Sequence, residues 1–488
     1  MVQQRRRIGD LLIEEGRITQ EQLDIALDEQ KRTGELLGAI LFSHGFISQQ
    51  DLTKVLSLSM EERARVPTAE TDAVDIPEEL DSLVKQSLQS LQASGERKHG
   101  DSAKHPLVRL VEKIIMAGIV RHATDIHIGP DTKGTRIRFR VDGALQHGMC
   151  LPKDLLNSIV SRLKILGGMN IAESRMPQDG GAEFFHHDRK LDLRISSFPL
   201  VNGENVVLRI LDKSQLKLGL DNLGFHDLDA RRIYESLKLP YGLILVTGPT
   251  GSGKTTTLYS CLSYINTVSR NIFTIEDPVE YQVPLVRQAQ VNAKAGLTFA
   301  TGLRSILRQD PDIILIGEMR DFETAELAVR SALTGHLVFS TLHTNDALAS
   351  IHRLMDMGIE PFLISSTLDT IIAQRLVRVL CSSCKTPVPA TDALYASLRV
   401  APNTSPLYRA HGCDRCGNSG YIGRTTIYEL LKLTPALRAL INRKASQDEL
   451  KNEALKQGFR TMFDLGAAKV RAGLTSIEEV SSVARTGV

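Results

Sequence analysis

The amino-acid sequence predicts an α/β fold: a core of alternating strands and helices preceded by an α+β domain, with a small helical module at the N-terminus and a cysteine-bearing subdomain toward the C-terminus. Three observations predict it. Short apolar runs at 243–247, 272–275, 313–316 and 337–341 alternate with helical segments, the pattern of buried parallel strands. Residues 135–141 alternate instead, with Arg136, Arg138 and Arg140 facing one way and Ile137, Phe139 and Val141 the other; 191–196 does the same. Two CxxC pairs stand apart from both patterns.

In chain order, 1–60 carries a weak internal repeat: Gly9, Leu12, Gly16, Ile18, Leu23 and Leu27 return 29 residues later as Gly38, Leu41, Gly45, Ile47, Leu52 and Leu56. Each copy reads as helix, Gly turn and helix, with Thr19 and Ser48 as caps and Gln22 and Asp51 three residues on. Residues 61–104 read as a linker with a short amphipathic helix near 78–92. The α+β domain spans 105–212, with a helix at 107–121 and a further strand at 206–211. The α/β core spans 220–375, the cysteine subdomain 376–425 and a run of short helices 426–488, capped at Thr434, Ser446 and Ser476.

Bulk numbers exclude several classes. The 59 basic and 57 acidic side chains leave a formal charge of +2, so there is no basic stripe for direct nucleic-acid binding. Arg5-Arg6-Arg7 is not followed by an apolar run, and no apolar stretch reaches ~18 residues, so neither a signal peptide nor a membrane span is expected. Six cysteines in a chain of 488 residues do not make a disulfide scaffold, and a cytosolic location is expected.

The strongest motif is Gly248-Pro249-Thr250-Gly251-Ser252-Gly253-Lys254-Thr255, followed by Thr256, which matches GxxxxGK[ST] between a strand and a helix predicted from Lys254 through Leu262. Such a loop curls backbone N–H groups around a β-phosphate at a helix N-terminus. Lys254 then bridges β- and γ-phosphates, and the Thr255 hydroxyl serves Mg²⁺. Triphosphate hydrolysis also needs carboxylates near the metal and the attacking water. Ile313 to Ile316 is a buried strand leading to Glu318, a Walker B arrangement, while Asp312 before it reads as a cap or a solvent-facing group. Glu276, Asp277 and Glu280 cluster after the strand at 272–275 and are candidates for a catalytic or metal-proximal role. His336 and His343 flank the strand at 337–341; each suits a satisfied structural histidine, and His343 equally suits a γ-phosphate sensor.

Cys381, Cys384, Cys413 and Cys416 form the two CxxC pairs, with a connection long enough to fold back. Four thiolates favour tetrahedral, structural Zn²⁺, with no open position for catalysis; redox pairs or two pairs of plain cysteines are the alternatives.

Residues 105–488 resemble the secretion ATPases of type II secretion and type IV pilus assembly. The motifs that carry the likeness are the Asp box at 273–281, the Walker B box at 313–321 with Glu318, Arg320 and Asp321, the His box at 333–346 with His343, and Arg175-Met176-Pro177-Gln178-Asp179-Gly180, after which Gly181 replaces a usual arginine. The resemblance implies a RecA-like P-loop ATPase core in a homo-hexameric ring, with nucleotide between the α+β domain and the core. It implies that Arg194 and Arg209 approach the γ-phosphate, and that Glu318, Glu280 and His343 belong to the catalytic set. It implies work on an inner-membrane platform protein, with attachment to the membrane through protein partners, among them a membrane anchor protein with a cytoplasmic domain. The cysteine segment resembles the tetracysteine domain of assembly and secretion motors rather than retraction motors. The N-terminal repeat is similar to a domain that in some members binds cyclic di-GMP; the first copy has Arg7, Ile8, Gly9 and Gln30, but the second has Leu36 and Ser59 at the polar positions, so protein docking stands beside that ligand. A motor of DNA uptake and a nucleotide-gated scaffold are the rival functions.

Overall fold

The computed structural model describes residues 18–33, 41, 44, 46, 76–93, 105–187, 189–212, 219–388 and 406–484. Of the repeated positions in the second copy only Leu41, which is buried, is among the described residues, and the candidate cyclic di-GMP residues Arg7, Ile8, Gly9, Leu36 and Ser59 lie outside them. Helix α1 (Gln20–Thr33) starts where the spacing predicts: Gln22 N donates to Thr19 Oγ1 (3.3 Å) and Thr19 N to Gln22 Oε1 (2.9 Å), a reciprocal cap. Helices α2 (Glu78–Ala93) and α3 (Pro106–Val120) follow, the latter with Pro106 in its first turn, where the missing N–H costs nothing.

A six-stranded sheet comes next: β1 (Ala123–Pro130), β2 (Thr135–Val141), β3 (Ala144–Leu151), helix α4 (Leu156–Leu166), then β4 (Gln178–His186), β5 (Arg189–Leu200) and β6 (Gly203–Asp212). Strand order is β3-β2-β1-β6-β5-β4, every neighbouring pair antiparallel. The predicted alternation of β2 is realised, with Ile137 and Phe139 fully buried against Leu110, Ile114, Ile159 and Leu163 of α3 and α4. One face is therefore core, and the other presents the polar residues.

The second sheet is built from α5 (Asp227–Ser236), β7 (Gly242–Thr247), α6 (Lys254–Ile265), β8 (Ile272–Glu276), β9 (Arg287–Gln290), α7 (Phe299–Ile306), β10 (Ile313–Ile316), α8 (Phe322–Leu333), β11 (Leu337–Leu342), α9 (Ala347–Asp356), α10 (Pro361–Thr367), β12 (Leu368–Leu380) and β15 (Tyr421–Lys432). A two-stranded ribbon of β13 (Thr386–Val388) and β14 (Leu407–Arg409) lies between the last two in sequence. The order is β15-β12-β7-β11-β10-β8-β9, parallel except for the antiparallel edge strand β15. Helices cover both faces. Leu243 and Leu245 of β7 join the core with α8 and α9, while Ile244 and Val246 join the core with α5 and α6. That is why these strands read as unbroken apolar runs.

The four short strands sit where the apolar runs placed them. Two longer ones do not follow the sequence boundaries. β12 runs through residue 375 and β15 through residue 425, so the boundaries expected at 375/376 and 425/426 fall inside strands of one sheet. Gln374, Arg375, Arg378, Glu429 and Lys432 interrupt their apolar pattern and conceal them. Helices α11 (Pro435–Asn442), α12 (Gln447–Lys456), α13 (Met462–Arg471) and α14 (Ile477–Val483) follow, and Thr434, Ser446 and Ser476 cap three of them as expected. Glu429 binds these helices to the core: its buried carboxylate accepts from Ala347 N (2.9 Å) at the start of α9 and Met462 N (3.2 Å) at the start of α13. Burial nevertheless pushes its pKa up, against the lowering effect of those two amides. Among the described residues no helix is long and apolar enough to cross a membrane.

Candidate nucleotide site and four-cysteine cluster

The loop 248–255 leaves the carboxyl end of β7 and opens α6 at Lys254. Its glycines are required by the backbone. Gly248 has φ 146°, and a Cβ there would stand 2.6 Å from Gln374 O; Gly253 has φ 88°, in the left-handed region. Lys254 Nζ donates to Gly248 O (2.8 Å) and Pro249 O (3.0 Å). Burial lowers its pKa, and the Glu318 carboxylate pulls it back up.

A cavity of about 1080 Å³ opens over this loop. Gly251 to Thr256, Glu276, Asp277, Glu280, Glu318, Arg320 and His343 line it from the second sheet, and Asp125, His127, Arg140 and Arg209 line it from the first. The cavity thus unites residues about 200 positions apart in the chain. Glu318 is buried. Its Oε1 pairs with Arg320 Nη2 (2.5 Å), and its Oε2 lies 3.4 Å from His343 Nε2 without hydrogen-bond geometry, so that oxygen has no hydrogen-bond partner. His343 is half-exposed at the cavity, whereas His336 Nδ1 contacts Ser331 O at 2.9 Å, away from it.

Two of the three clustered carboxylates, Glu276 and Glu280, lie in different environments. Glu276 is buried and accepts from Thr274 Oγ1 (2.5 Å), Gln288 Nε2 (3.2 Å) and the Tyr259 hydroxyl. Burial, with the Glu276 charge beside it, drives the Tyr259 pKa far up, so the phenol stays a donor. Glu280 is partly exposed and pairs with Arg194 Nη2 (3.5 Å), which also donates to Val279 O (3.2 Å). Asp312 accepts from Asn271 N (2.7 Å), a local tie. Asp321 and Asp346, inside the Walker B and His boxes, cap α8 and α9 by accepting from Thr324 N (2.8 Å) and Ala349 N (2.7 Å).

Across the first sheet, Arg140, Asp125, Arg209, Arg194 and Gly181 fall in one row on β2, β1, β6, β5 and β4. Arg209 Nε donates to Asp125 Oδ1 (2.9 Å) and Arg209 lines the cavity; Arg194, one strand further, engages the Asp-box backbone. Sequence reasoning missed Asp125 and gave Arg140 no role at the site. The alternation of Asp125 and His127 with Ile126 and Ile128 is the local signal that marks β1 as a strand.

Gln374 was also missed. Fully buried on β12, it donates from Nε2 to Ser252 O (2.8 Å) and accepts from Thr257 Oγ1 (2.9 Å), clamping the loop to the first turn of α6. Gln374→Leu would leave that carbonyl and that hydroxyl buried without partners, at about 1–3 kcal/mol. We expect a lower melting temperature together with a several-fold weaker affinity for ATP, read by fluorescent-nucleotide titration; unaltered affinity would remove the clamp role.

The four CxxC sulfurs converge, all within 4.8 Å of one another, with Cys413–Cys416 at 3.7 Å, Cys384–Cys416 at 3.8 Å and Cys381–Cys413 at 3.9 Å. These separations are far from a disulfide bond length. The Cys416 sulfur accepts from Gly420 N (3.2 Å) and Cys413 N (3.2 Å), and the Cys384 sulfur from Gly412 N (3.4 Å), as suits thiolates. The set fits a closed tetrahedral zinc site.

Residues 101–482 match the family described as type II/IV secretion system protein. The chain is 49% identical over 381 residues to type II secretion system protein E of Pseudomonas aeruginosa, covering 78% of this chain and 76% of that one. It is 48% identical over 380 residues to the type IV pilus assembly ATPase PilB of Myxococcus xanthus, covering 77% and 67%. The crystal structure of the pilus retraction motor PilT with bound ADP superposes with a TM-score of 0.53 at 30% identity, covering 77% of this chain and 97% of that one. The chain therefore belongs to the type II/IV secretion system protein family and is a P-loop ATPase of that family.

Proposed function

We propose that this chain is a cytoplasmic, homo-hexameric motor that hydrolyses ATP to drive assembly of a type IV pilus or a type II secretion pseudopilus at the inner membrane. The observation that carries the reading is the single cavity shared by the phosphate loop, Glu318, His343 and Arg209. ATP would seat its phosphates on Gly248, Pro249, Thr250, Gly251, Ser252, Gly253 and the N-terminus of α6, with Lys254 on the β- and γ-oxygens and Thr256 beside them. Thr255 and the unpartnered Glu318 oxygen suit Mg²⁺, which when bound neutralises developing phosphate charge. Glu318 orients the attacking water, His343 senses the terminal phosphate, and Glu280 ties the Asp box to Arg194. Arg209 and Arg194 supply positive charge from the α+β domain, 105–212, to the RecA-like core built on the second sheet.

Closing the cleft on ATP and reopening it after hydrolysis moves one sheet against the other, and ring packing passes that motion to a platform protein in the membrane. Attachment runs through the platform and a membrane anchor protein. The tetracysteine segment between β12 and β15 is structural, and the helices that follow β15 and the module of 1–60 dock to neighbours or partners, with cyclic di-GMP a further candidate ligand of that module. Steady-state ATP hydrolysis by the assembled full-length chain tests the reading. We expect turnover by wild type, and in Arg209→Ala retained nucleotide binding with kcat down about a hundredfold or more. A wild-type ring that never consumes ATP, even with its membrane partner, would sink the motor reading.

A further inference from the structure

The row across the first sheet poses an electrostatic problem. Arg209 and Arg194 are directly opposed on adjacent strands, and Arg140 occupies the same row two strands from Arg209. Like charges so placed repel. One carboxylate, Asp125, stands between Arg140 and Arg209 on β1. It is nearly fully buried, and both oxygens are engaged: Oδ1 accepts from Arg209 Nε (2.9 Å), while Oδ2 accepts from Thr124 Oγ1 (2.8 Å) and lies 3.8 Å from Arg140 Nε. Arg209 itself is largely exposed at the cavity, with a side-chain exposure of 56%. A long arginine in that setting samples many rotamers unless something fixes it.

From this juxtaposition we propose that Asp125 is a positioning residue for ATP hydrolysis, holding the Arg209 guanidinium by its Nε so that its terminal nitrogens meet the phosphates across the cleft. This rests on the role given to Arg209 above. A fixed donor needs less reorganisation when charge develops on the transferring phosphoryl group, which is where preorganisation acts. Arg140 has an independent anchor, donating from Nη1 to Gly143 O (2.9 Å), so loss of Asp125 falls chiefly on Arg209.

The test is a double-mutant cycle on the assembled full-length chain. Asp125→Ala should lower kcat about tenfold while the KM for ATP stays within about twofold, because a positioning contact acts on the transition state. Asp125→Asn, whose amide oxygen can still accept from Nε, should lose only about threefold. In an Arg209→Ala background neither change should reduce kcat further. A merely structural role would lower the melting temperature and kcat alike in both backgrounds. Should Asp125→Ala not fold, Asp125→Asn alone completes the cycle, with an expected loss of about threefold in wild type and none beside Arg209→Ala. Equal losses in both backgrounds, or wild-type turnover by the aspartate variants, would overturn the proposal. Wild-type turnover by Arg209→Ala would instead remove the role of Arg209, a distinct failure.

Discussion

Glu318→Gln should still bind ATP at neutral pH yet hydrolyse it about 100–1,000-fold more slowly, a barrier increase of roughly 3–4 kcal/mol. The substitution keeps the size of a side chain that is buried and lines the cleft just beyond the strand β10, so the local packing is preserved. It removes the charge that lets one oxygen pair with Arg320 while the other remains without a hydrogen-bond partner beside His343. An amide is a poor orienter of water and a poor partner for a divalent ion. Binding should survive because the phosphates are gripped by backbone amides and Lys254, and a negative charge has been taken from their vicinity. The same removal has a second consequence. Burial lowers the Lys254 pKa and Glu318 raises it, so without Glu318 the ammonium is lost at lower pH. Nucleotide affinity in the variant should therefore begin to fall at a less alkaline pH than in wild type. Single-turnover hydrolysis and fluorescent-nucleotide titration measure the two halves, and a kcat within about threefold of wild type would end the assignment of Glu318.

What could be read from sequence follows a physical rule. Features whose partners lie close along the chain were legible: the phosphate loop with its strand and helix, Glu318 at the end of a four-residue apolar strand, and the paired cysteines. Features made by register were not. The row Arg140, Asp125, Arg209 and Arg194 exists only because β2, β1, β6 and β5 pair at those positions, and no local pattern encodes that pairing. Family resemblance singled out Arg194 and Arg209, and the structure places only Arg209 at the cavity while Arg194 holds the Asp-box backbone. Gln374 was hidden for a related reason. A polar residue in an apolar strand looks like a break until its two bonds to Ser252 and Thr257 are seen. The acidic cluster illustrates the opposite error, since three carboxylates within five residues invite one shared role. All three reach the cleft, but Glu276 is buried at its wall with its oxygens taken by Tyr259, Thr274 and Gln288, whereas Glu280 is partly exposed and faces Arg194.

Removal of zinc should have the largest effect on stability. The four sulfurs sit where β12 ends and shortly before β15 begins, and Cys381 N donates to Gly420 O (2.9 Å) across the two segments. The metal would thus staple the ends of the longest strand pair in the second sheet, the pair that carries Gln374 and Glu429 further along. Without the ion, four thiolates gathered within 4.8 Å repel one another or must take up protons, and the knuckles lose their organising centre. Cys416 is the most telling position, because it is buried and its sulfur accepts two backbone N–H groups. We expect protein produced with ample zinc to hold about one equivalent per chain, and Cys416→Ser to hold close to none. The variant should lose on the order of 3–5 kcal/mol of stability, less than the gross binding energy of a zinc site because the rest of the sheet still folds. A strong chelator should reproduce the drop in melting temperature in wild type, and a reductant without chelating power should not, which separates a metal site from a redox pair. Wild-type protein free of zinc after such production, or a Cys416→Ser chain that melts with wild type, would show that the four cysteines stand together for another reason.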